Sequence, residues 1–268
     1  MEQIIDYYSQ FDEWGRLDRE PLEFAVNCHY IKQYLPDAGA VLDNGAGPGK
    51  YAMELAKLGY RMTLTDLTPR LVDIARLKAE EMQLSGQFDG FHALNATRLD
   101  DLKDEQFDAA LMLGPLYHLQ REEERQAAVR ELYRVTKPGG VVFVAFQSRV
   151  RMAMTSLMHP ASWKPNDTIG GIERLMETGA FNHQDKGRFT GAYYFHIDEV
   201  KPFMENGGFA TIDLIGSSSV GALLTNEQKQ YWIDRGEYDQ LVQFLITLAK
   251  DPAVLGTSYH LLYIGKKK

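Results

Sequence analysis

Three glycines at alternate positions follow a short apolar stretch and an acidic residue, in the run Val-Leu-Asp-Asn-Gly-Ala-Gly-Pro-Gly over residues 41–49. Such glycines let the backbone turn tightly and approach a ligand where any side chain would intrude. Apolar residues at helical spacing come next, at Tyr51, Ala52, Leu55 and Leu58. The order predicts a strand, then a loop that contacts a ligand, then an amphipathic helix.

The spacing of these glycines argues against a dinucleotide ligand. The dinucleotide fingerprint needs its third glycine one position later, where this chain has Lys50. A nicotinamide-dependent oxidoreductase is therefore disfavoured. The loop suits a different small ligand that carries polar groups.

Composition and charge restrict the class of partner. The chain has 268 residues and is 44% hydrophobic, enough for one large core or one core with a modest lid. The formal net charge is −8. The sequence has no basic stripe, and its one cationic cluster is the tail Lys266, Lys267 and Lys268. We therefore expect no nucleic-acid partner.

The cysteine count and the absence of targeting segments bear on the compartment. Cys28 is the one cysteine, which excludes an internal disulfide, and its apolar neighbours predict a buried helical thiol. The N-terminus lacks the basic and apolar regions of a signal peptide, and no apolar stretch reaches the length that spans a bilayer. We expect a cytoplasmic protein without a membrane partner.

Strand and helix patterns alternate from residue 40 onward, which predicts a doubly wound α/β fold with a parallel sheet. The apolar run from Phe107 to Leu113 suits a central strand, with the first and fifth strands as its neighbours. The predicted strands cover 40–44, 61–65, 90–94, 107–113 and 141–146, and the helices cover 49–58, 69–84 and 121–135.

Two helices and a second group of strands flank this region. Residues 2–35 have helical patterns with a break near Trp14, and residues 148–195 form a long irregular stretch. A capping box of Thr225 and Gln228 opens helices over 226–250. The pattern further predicts a helix over 197–206 and strands over 209–215 and 259–264.

Four motifs stand in a familiar order at the ends of these strands. They are Asp43 to Gly49 after the first strand, Asp66 after the second, Asn95-Ala96 after the third, and Lys137 to Gly140 before the fifth. With them the chain resembles class I S-adenosylmethionine-dependent methyltransferases, in the small-molecule branch close to the ubiquinone/menaquinone methyltransferase-like enzymes. The resemblance covers residues 37–147 closely.

The resemblance implies a fold, a cofactor and a reaction. The fold would be Rossmann-like: a mostly parallel seven-stranded sheet with an antiparallel last strand, N-terminal helices, and helical inserts before strands 6 and 7. The cofactor would be S-adenosyl-L-methionine, and the reaction an in-line methyl transfer to an oxygen, nitrogen or carbon of a small metabolite. The implied division is an N-terminal helical lid over 1–36, a cofactor-binding α/β core over 37–147, a helical or irregular acceptor-side insert over 148–195 and a completion of the sheet, with a helical insert, over 196–268.

The family pattern also assigns cofactor contacts in this sequence. Backbone groups of Gly45 and Gly47 would meet the methionine end of the cofactor, and the Asp66 carboxylate would accept its ribose hydroxyls. Leu67 would pack on the adenine face, and Asn95 with Ala96 would contact the adenine edge. The remaining contacts implied are Asn44, Ala46, and, under the transferable methyl group, Leu113 and Gly114.

Most of these assignments have a plain structural alternative. The glycine loop by itself is compatible with an ordinary strand-to-helix turn, and Asp66 with a helix N-cap. Asn95 suits an Asx turn, and many relatives carry Asp at that place. Because an amide both donates and accepts hydrogen bonds, adenine contact is compatible with Asn95 too.

His118 is the candidate catalytic residue. A neutral imidazole near the sulfonium would take a proton from a hydroxyl or amine acceptor. The alternatives are a wall of the cofactor site and a hydrogen-bonded structural histidine. Displacement on an activated carbon gains much of its rate from orientation, so that a base is not required. No metal is expected, because the histidines lack ligand spacing.

Aromatic residues near the N-terminus either close over the cofactor or pack in the core. They are Tyr7, Tyr8, Phe11 and Trp14, with Tyr8 and Trp14 as the expected cofactor contacts. Arg16 and Arg70 are candidates for binding an anionic group, and a solvated arginine is the alternative for each.

The acceptor is expected between the N-terminal helices and the insert, where methionines and aromatic residues suit a small, partly apolar molecule. The partner would be a small-molecule methyl acceptor, and the protein a monomer or homodimer. Two alternatives stay open: a nucleic-acid or protein methyltransferase, and a non-catalytic S-adenosylmethionine-binding module.

Overall fold

The computed structural model describes Ile5, Tyr7, Tyr8, Trp14, Gly15 and residues 21–184 and 191–268. The predictions for Phe11 and Arg16, and most of the first predicted helix, lie outside these residues. The second predicted helix is helix α1, Pro21–Tyr34.

The alternating elements of the core follow the predicted order. The strands are β1 Ala40–Asn44, β2 Arg61–Asp66, β3 Phe88–Ala93, β4 Phe107–Met112 and β5 Thr136–Gln147. The helices between them are α2 Lys50–Lys57, α3 Pro69–Glu81, α4 Pro115–His118 and α5 Glu122–Val135.

The C-terminal part completes the sheet. It contains α8 Ile197–Asn206, β8 Phe209–Gly216, α9 Asn226–Asp234, α10 Tyr238–Leu248, α11 Pro252–Leu255 and β9 His260–Lys267. The predicted capping box is confirmed, because Thr225 accepts from the Gln228 backbone and the Gln228 side chain accepts from the Thr225 backbone.

One seven-stranded sheet has the order β3-β2-β1-β4-β5-β9-β8. The first five strands pair in parallel, whereas β9 runs antiparallel to both β5 and β8. Strand β4 lies between β1 and β5, as its apolar run predicts. The predicted doubly wound fold with an antiparallel last strand is confirmed.

Helices cover both faces of the sheet because strand side chains alternate in direction. In β1, Val41 packs in the cluster that includes residues of α1, α2 and α10, while Leu42 packs in the cluster that includes residues of α5 and α8. In β4, Leu111 packs in the first of these clusters and Met112 in the second. The sheet is therefore the middle layer of three.

The stretch over 148–195, expected to be helical or irregular, contains two helices and a short ribbon. The described part of that stretch contains α6 Arg149–Met158, α7 Ile169–Thr178 and a two-stranded antiparallel ribbon of β6 Ala180–Phe181 and β7 Ala192–Tyr193. Local caps explain the helices: Ser148 accepts a hydrogen bond from the Arg151 backbone, Thr168 accepts one from the Gly171 backbone, and Gly179 ends α7 in the left-handed conformation. We call β6 and β7 the insert ribbon.

Cys28 lies on α1 and is half-buried, and burial raises the pKa of its thiol to about 12. The thiol is therefore protonated at neutral pH, which makes it a poor nucleophile. Within the described ranges, no helix is long and apolar enough to cross a lipid bilayer.

Candidate functional site

The three alternating glycines all adopt the left-handed backbone conformation, with φ of 71° at Gly45, 57° at Gly47 and 83° at Gly49. The loop bends back toward β2, because the Gly45 and Ala46 amides donate to the Thr65 carbonyl at 2.8 and 3.0 Å. A Cβ atom on Gly45 would lie 2.1 Å from Cγ of Pro115. Only glycine therefore lets this loop approach the end of β4 so closely.

Asp66 ties the glycine loop to the next strand. Its Oδ2 accepts the Gly47 amide at 2.8 Å, and its Oδ1 accepts the Thr68 amide at 2.8 Å. The carboxylate is mostly buried and lines the same cavity as the loop. Each oxygen has more than one lone pair, so the carboxylate can hold the loop and still accept hydroxyl groups of a ligand.

Asp43, at the end of β1, also faces the cavity. It is 2% exposed, and its Oδ2 has no hydrogen-bond partner among the residues that the structure describes. Burial raises its pKa to about 7, a hydrogen bond from the Ala52 backbone opposes that rise, and the nearby Asp66 carboxylate adds to it. A cationic ligand group would offset this buried carboxylate.

The loop after β3 contributes Asn95 and Ala96 to the cavity wall. The Asn95 Oδ1 accepts the Thr97 amide at 3.0 Å, which is the Asx turn given above as the alternative. The turn does not remove Asn95 from the wall, so the turn and a contact with a ligand are compatible.

The end of β4 brings an imidazole to the cavity. The short helix α4 ends at His118, whose Nε2 lies 3.0 Å from the Tyr8 hydroxyl. The Tyr117 ring packs against His118 and, on another side, against His260, with centroid distances of 4.9 and 5.5 Å. His260 Nδ1 in turn lies 2.9 Å from the Glu23 carboxylate of α1. The sequence patterns did not indicate the positions of His260 and Glu23.

These features enclose one cavity of about 440 Å³ at the carboxyl edge of the parallel strands. Most predicted site residues line it: Tyr8, Gly45, Ala46, Gly47, Asp66, Leu67, Asn95, Ala96, Leu113, Gly114 and His118. Asn44 and Trp14 lie away from the wall. The Asn44 Oδ1 accepts the Thr65 hydroxyl at 3.0 Å, and the Trp14 ring centroid lies 5.6 and 5.3 Å from Nζ of Lys50 and Lys78.

Known proteins place this geometry in a family. A family model described as a methyltransferase domain matches residues 42–144. A ubiquinone biosynthesis O-methyltransferase of Xanthomonas axonopodis is 28% identical over 195 residues, which is 71% of this chain and 71% of that protein. The fold, the cavity and these matches support a class I S-adenosylmethionine-dependent methyltransferase.

Solved structures agree with the fold of the methyltransferase. A SAM-dependent methyltransferase from Methanosarcina mazei superposes with a TM-score of 0.61 at 20% identity, over 89% of this chain and 96% of that one. The Burkholderia thailandensis 1,6-didemethyltoxoflavin-N1-methyltransferase, solved with bound 1,6-didemethyltoxoflavin and S-adenosylhomocysteine, superposes with a TM-score of 0.58 at 15% identity, over 100% of this chain and 86% of that one. At these identities the likeness concerns the fold alone.

The cavity of the methyltransferase fits its cofactor. The amino group and the sulfur of S-adenosylmethionine are cationic, and the buried Asp43 Oδ2 offers a carboxylate oxygen without a partner among the described residues. Gly45 and Gly47 line the cavity with backbone alone, because neither residue has a side chain. Asp43 is part of the glycine motif, but the motif gave no sign that its side chain reaches the cavity.

The structure adds wall residues that the sequence patterns missed. Gln120 follows α4, and Asn182 and Gly191 flank the insert ribbon. No motif marks any of the three, because their place in the wall depends on how the insert folds onto the core. The other additions are Asp43, Pro48, Lys50, Tyr51, Thr68, Leu71, Leu94, Thr97, Pro115, Tyr117, Leu119, Arg121 and Glu124.

Proposed function

We propose that the methyltransferase transfers a methyl group to a hydroxyl of a small, partly apolar molecule that binds beside His118. The observation that carries this proposal is the imidazole of His118 on the wall of the cavity that the glycine loop also lines. A hydroxyl acceptor must lose a proton, and an imidazole is a suitable base near neutral pH. The curated relatives are named as O-methyltransferases, which favours oxygen over nitrogen or carbon.

The donor end of the cavity holds the cofactor in this proposal. Backbone groups of Gly45 and Gly47 bind its methionine end, with the Asp43 carboxylate opposite its positive charge. Asp66 accepts the ribose hydroxyls, and the adenine lies between Leu67 and the Asn95-Ala96 loop. When bound, S-adenosylmethionine supplies a methyl group already activated by a positive sulfur.

The acceptor end depends on His118 and Tyr8. The Tyr8 hydroxyl lies within hydrogen-bond distance of Nε2 of His118. We propose that an acceptor hydroxyl takes the place of the Tyr8 hydroxyl and gives its proton to this nitrogen. Its oxygen would form the bond to the methyl carbon as the carbon–sulfur bond breaks, with S-adenosylhomocysteine as the leaving group. A phenol is the preferred class, because a phenol has a pKa near 10 and is far easier to deprotonate than an alcohol.

The insert supplies the far wall of the acceptor end. Asn182 and Gly191 line the cavity beside Gln120 and the loop after α4. These contacts support the division into a cofactor-binding core and an acceptor-side insert. We also propose that the N-terminal segment acts as a lid. The contact between Tyr8 and His118 supports this role.

An assay with a labelled methyl donor tests the function. The full chain is incubated with methyl-labelled S-adenosylmethionine and a panel of small phenols, catechols, amines and activated carbon acids, and the products are identified by mass spectrometry. We expect O-methyl products from phenols or catechols. Calorimetric binding of S-adenosylmethionine without turnover across the panel would instead favour a non-catalytic binding module.

The remaining partner predictions have their own test. The acidic balance favours a small-molecule acceptor over a nucleic acid. Retention of the protein on immobilised RNA at low salt would revive a nucleic-acid substrate. A cytoplasmic location and a monomeric or homodimeric state stay predictions, the latter testable by light scattering of the purified chain.

A further inference from the structure

A pair of amide side chains joins the insert ribbon to the loop between α4 and α5, residues 119–121, which we call the cavity loop. Nε2 of Gln120 donates to Oδ1 of Asn182 at 2.8 Å and to the Phe181 carbonyl at 3.2 Å. Gln120 and Asn182 both line the cavity, one from the core and one from the insert. The acceptor end of the wall therefore closes through this pair.

Gly191 packs against the same pair from the other strand of the ribbon. A Cβ atom at this position would lie 2.3 Å from Nε2 of Gln120 and 2.7 Å from Oδ1 of Asn182, and the glycine has a φ of 154°. A side chain at position 191 would push the two amides apart. The pair is thus held in one arrangement by close packing.

Arg125 fixes the core side of this junction. It lies on α5, is 5% exposed, and its Nη1 donates to the carbonyls of Leu119 and Gln120 at 2.9 and 2.6 Å. Its Cζ also lies 3.5 Å from the centroid of the Tyr193 ring, which belongs to β7. One guanidinium therefore sets the loop that carries Gln120 and also stacks on the ribbon.

The Tyr193 ring is held from a second side by Arg149. Nη2 of Arg149 donates to the Tyr193 hydroxyl at 3.2 Å, and its Nε donates to the Tyr194 carbonyl at 2.9 Å. The Arg149 side chain is 4% exposed and also pairs with Glu199 of α8 at 3.2 Å. The ring thus has little freedom to move away from Arg125.

We infer that Arg125 is a positioning residue for the acceptor: it holds the cavity loop and the insert ribbon in register, so that the Gln120–Asn182 pair presents its polar atoms to the acceptor. This inference rests on the proposed function of the insert as the acceptor wall. It further specifies the acceptor as a molecule with a hydrogen-bonding group at the end remote from the methyl group. Arginine is required, because a lysine ammonium cannot lie flat on the Tyr193 ring while it donates to the Leu119 and Gln120 carbonyls.

The test compares Arg125→Lys with a matched arginine on the same helix. Arg134 lies at the other end of α5 and also donates to two loop carbonyls, of Leu102 and Leu99 at 2.8 and 3.0 Å, at a distance from the cavity wall. For Arg125→Lys we expect the KM for hydroquinone, whose second hydroxyl lies opposite the methylated one, to rise roughly tenfold, with the dissociation constant of S-adenosylmethionine within about two-fold of wild type. Arg134→Lys should leave the KM for hydroquinone unchanged, whatever it does to thermal stability.

A second pair of variants keeps the test decisive if Arg125→Lys does not fold. Tyr193→Leu removes the aromatic face, whereas Tyr193→Phe keeps the face and loses only the hydroxyl. We expect Tyr193→Leu to raise the KM as Arg125→Lys does, and Tyr193→Phe to stay near wild type. An equal change in the two Tyr193 variants would overturn the inference.

Hydrogen–deuterium exchange gives a readout that needs no acceptor. With S-adenosylmethionine bound, Arg125→Lys or Tyr193→Leu should speed exchange at residues 192–194, and Arg134→Lys should not. Unchanged exchange there overturns the inference. If wild type methylates no compound of the panel, the proposed acceptor class fails, and the exchange result still decides whether Arg125 positions the ribbon.

Discussion

The Tyr8 hydroxyl lies 3.0 Å from Nε2 of His118, although the two residues are 110 positions apart in the chain. The rings meet edge to face, with centroids 5.6 Å apart. Tyr8 belongs to the segment before α1, and His118 ends the short helix after β4. The contact therefore brings Tyr8 to the cavity wall beside His118.

If His118 takes the acceptor proton, its removal should matter most for the least acidic acceptors. We expect His118→Ala to lower kcat by roughly 100-fold for a phenol of pKa near 10, and by much less for phenols of pKa near 7. Steady-state rates over a series of substituted phenols measure this slope. A uniform loss across the series would assign His118 to the cavity wall instead of to proton transfer.

Asp66 should control cofactor affinity, because it both contacts the cavity and holds the glycine loop. Asp66→Ala should weaken binding of S-adenosylmethionine and S-adenosylhomocysteine by roughly 10- to 100-fold in isothermal calorimetry. Asp89→Asn is the control, an exposed acid that pairs with Arg61 on the far edge of the sheet. Equal affinities of Asp66→Ala and wild type would contradict the assignment of Asp66 to the ribose.

Asp43 should make the stability of the cofactor-free protein depend on pH. Its pKa in the folded protein is about 7, whereas an aspartate in an unfolded chain has a pKa of about 3.9. The folded state therefore binds this proton more tightly, and the resulting stability is complete at low pH and is lost as the pH rises through about 7.

Urea unfolding of wild type and Asp43→Asn, from a pH below about 3.9 to a pH above about 7, measures the effect. The free energy of unfolding of wild type, relative to that of the variant, should fall on the order of 2 to 4 kcal/mol as the pH rises. Asparagine keeps the shape and an oxygen for the Ala52 amide but does not titrate. Parallel pH profiles of the two proteins would show that Asp43 is ionised throughout.

Alanine substitutions at Gly45 and Gly59 distinguish the cost of backbone strain from the cost of a steric clash. Both have positive φ, 71° and 94°, but a Cβ on Gly45 meets Pro115 whereas one on Gly59 meets nothing within 4 Å. Gly59→Ala should cost about 1 kcal/mol of stability and leave cofactor binding intact. Gly45→Ala should cost more and weaken cofactor binding at least about tenfold, because the loop must move. Similar behaviour of the two variants would argue against a close approach of β4 to the loop.

The strands and their order were predictable because each is marked by local patterns. The apolar run of β4 required cover on both faces, and the sheet supplies it. The insert was not predictable in the same way. Its helices are short, and the contacts that hold them come from far along the chain, such as the bond from Arg149 to the Tyr194 carbonyl across 45 positions.

The sequence by itself determined the donor end of the cavity. The alternate glycines, Asp66 and the Asn95-Ala96 pair follow three neighbouring strands, and parallel strands bring their carboxyl ends to one edge. Only the tertiary structure decided the proposed acceptor end and the contacts behind it. Gln120 meets Asn182 across 62 positions, and His260 meets Glu23 across 237. Such contacts leave no periodic trace in the chain, because they depend on how packed elements come together and not on local backbone preference.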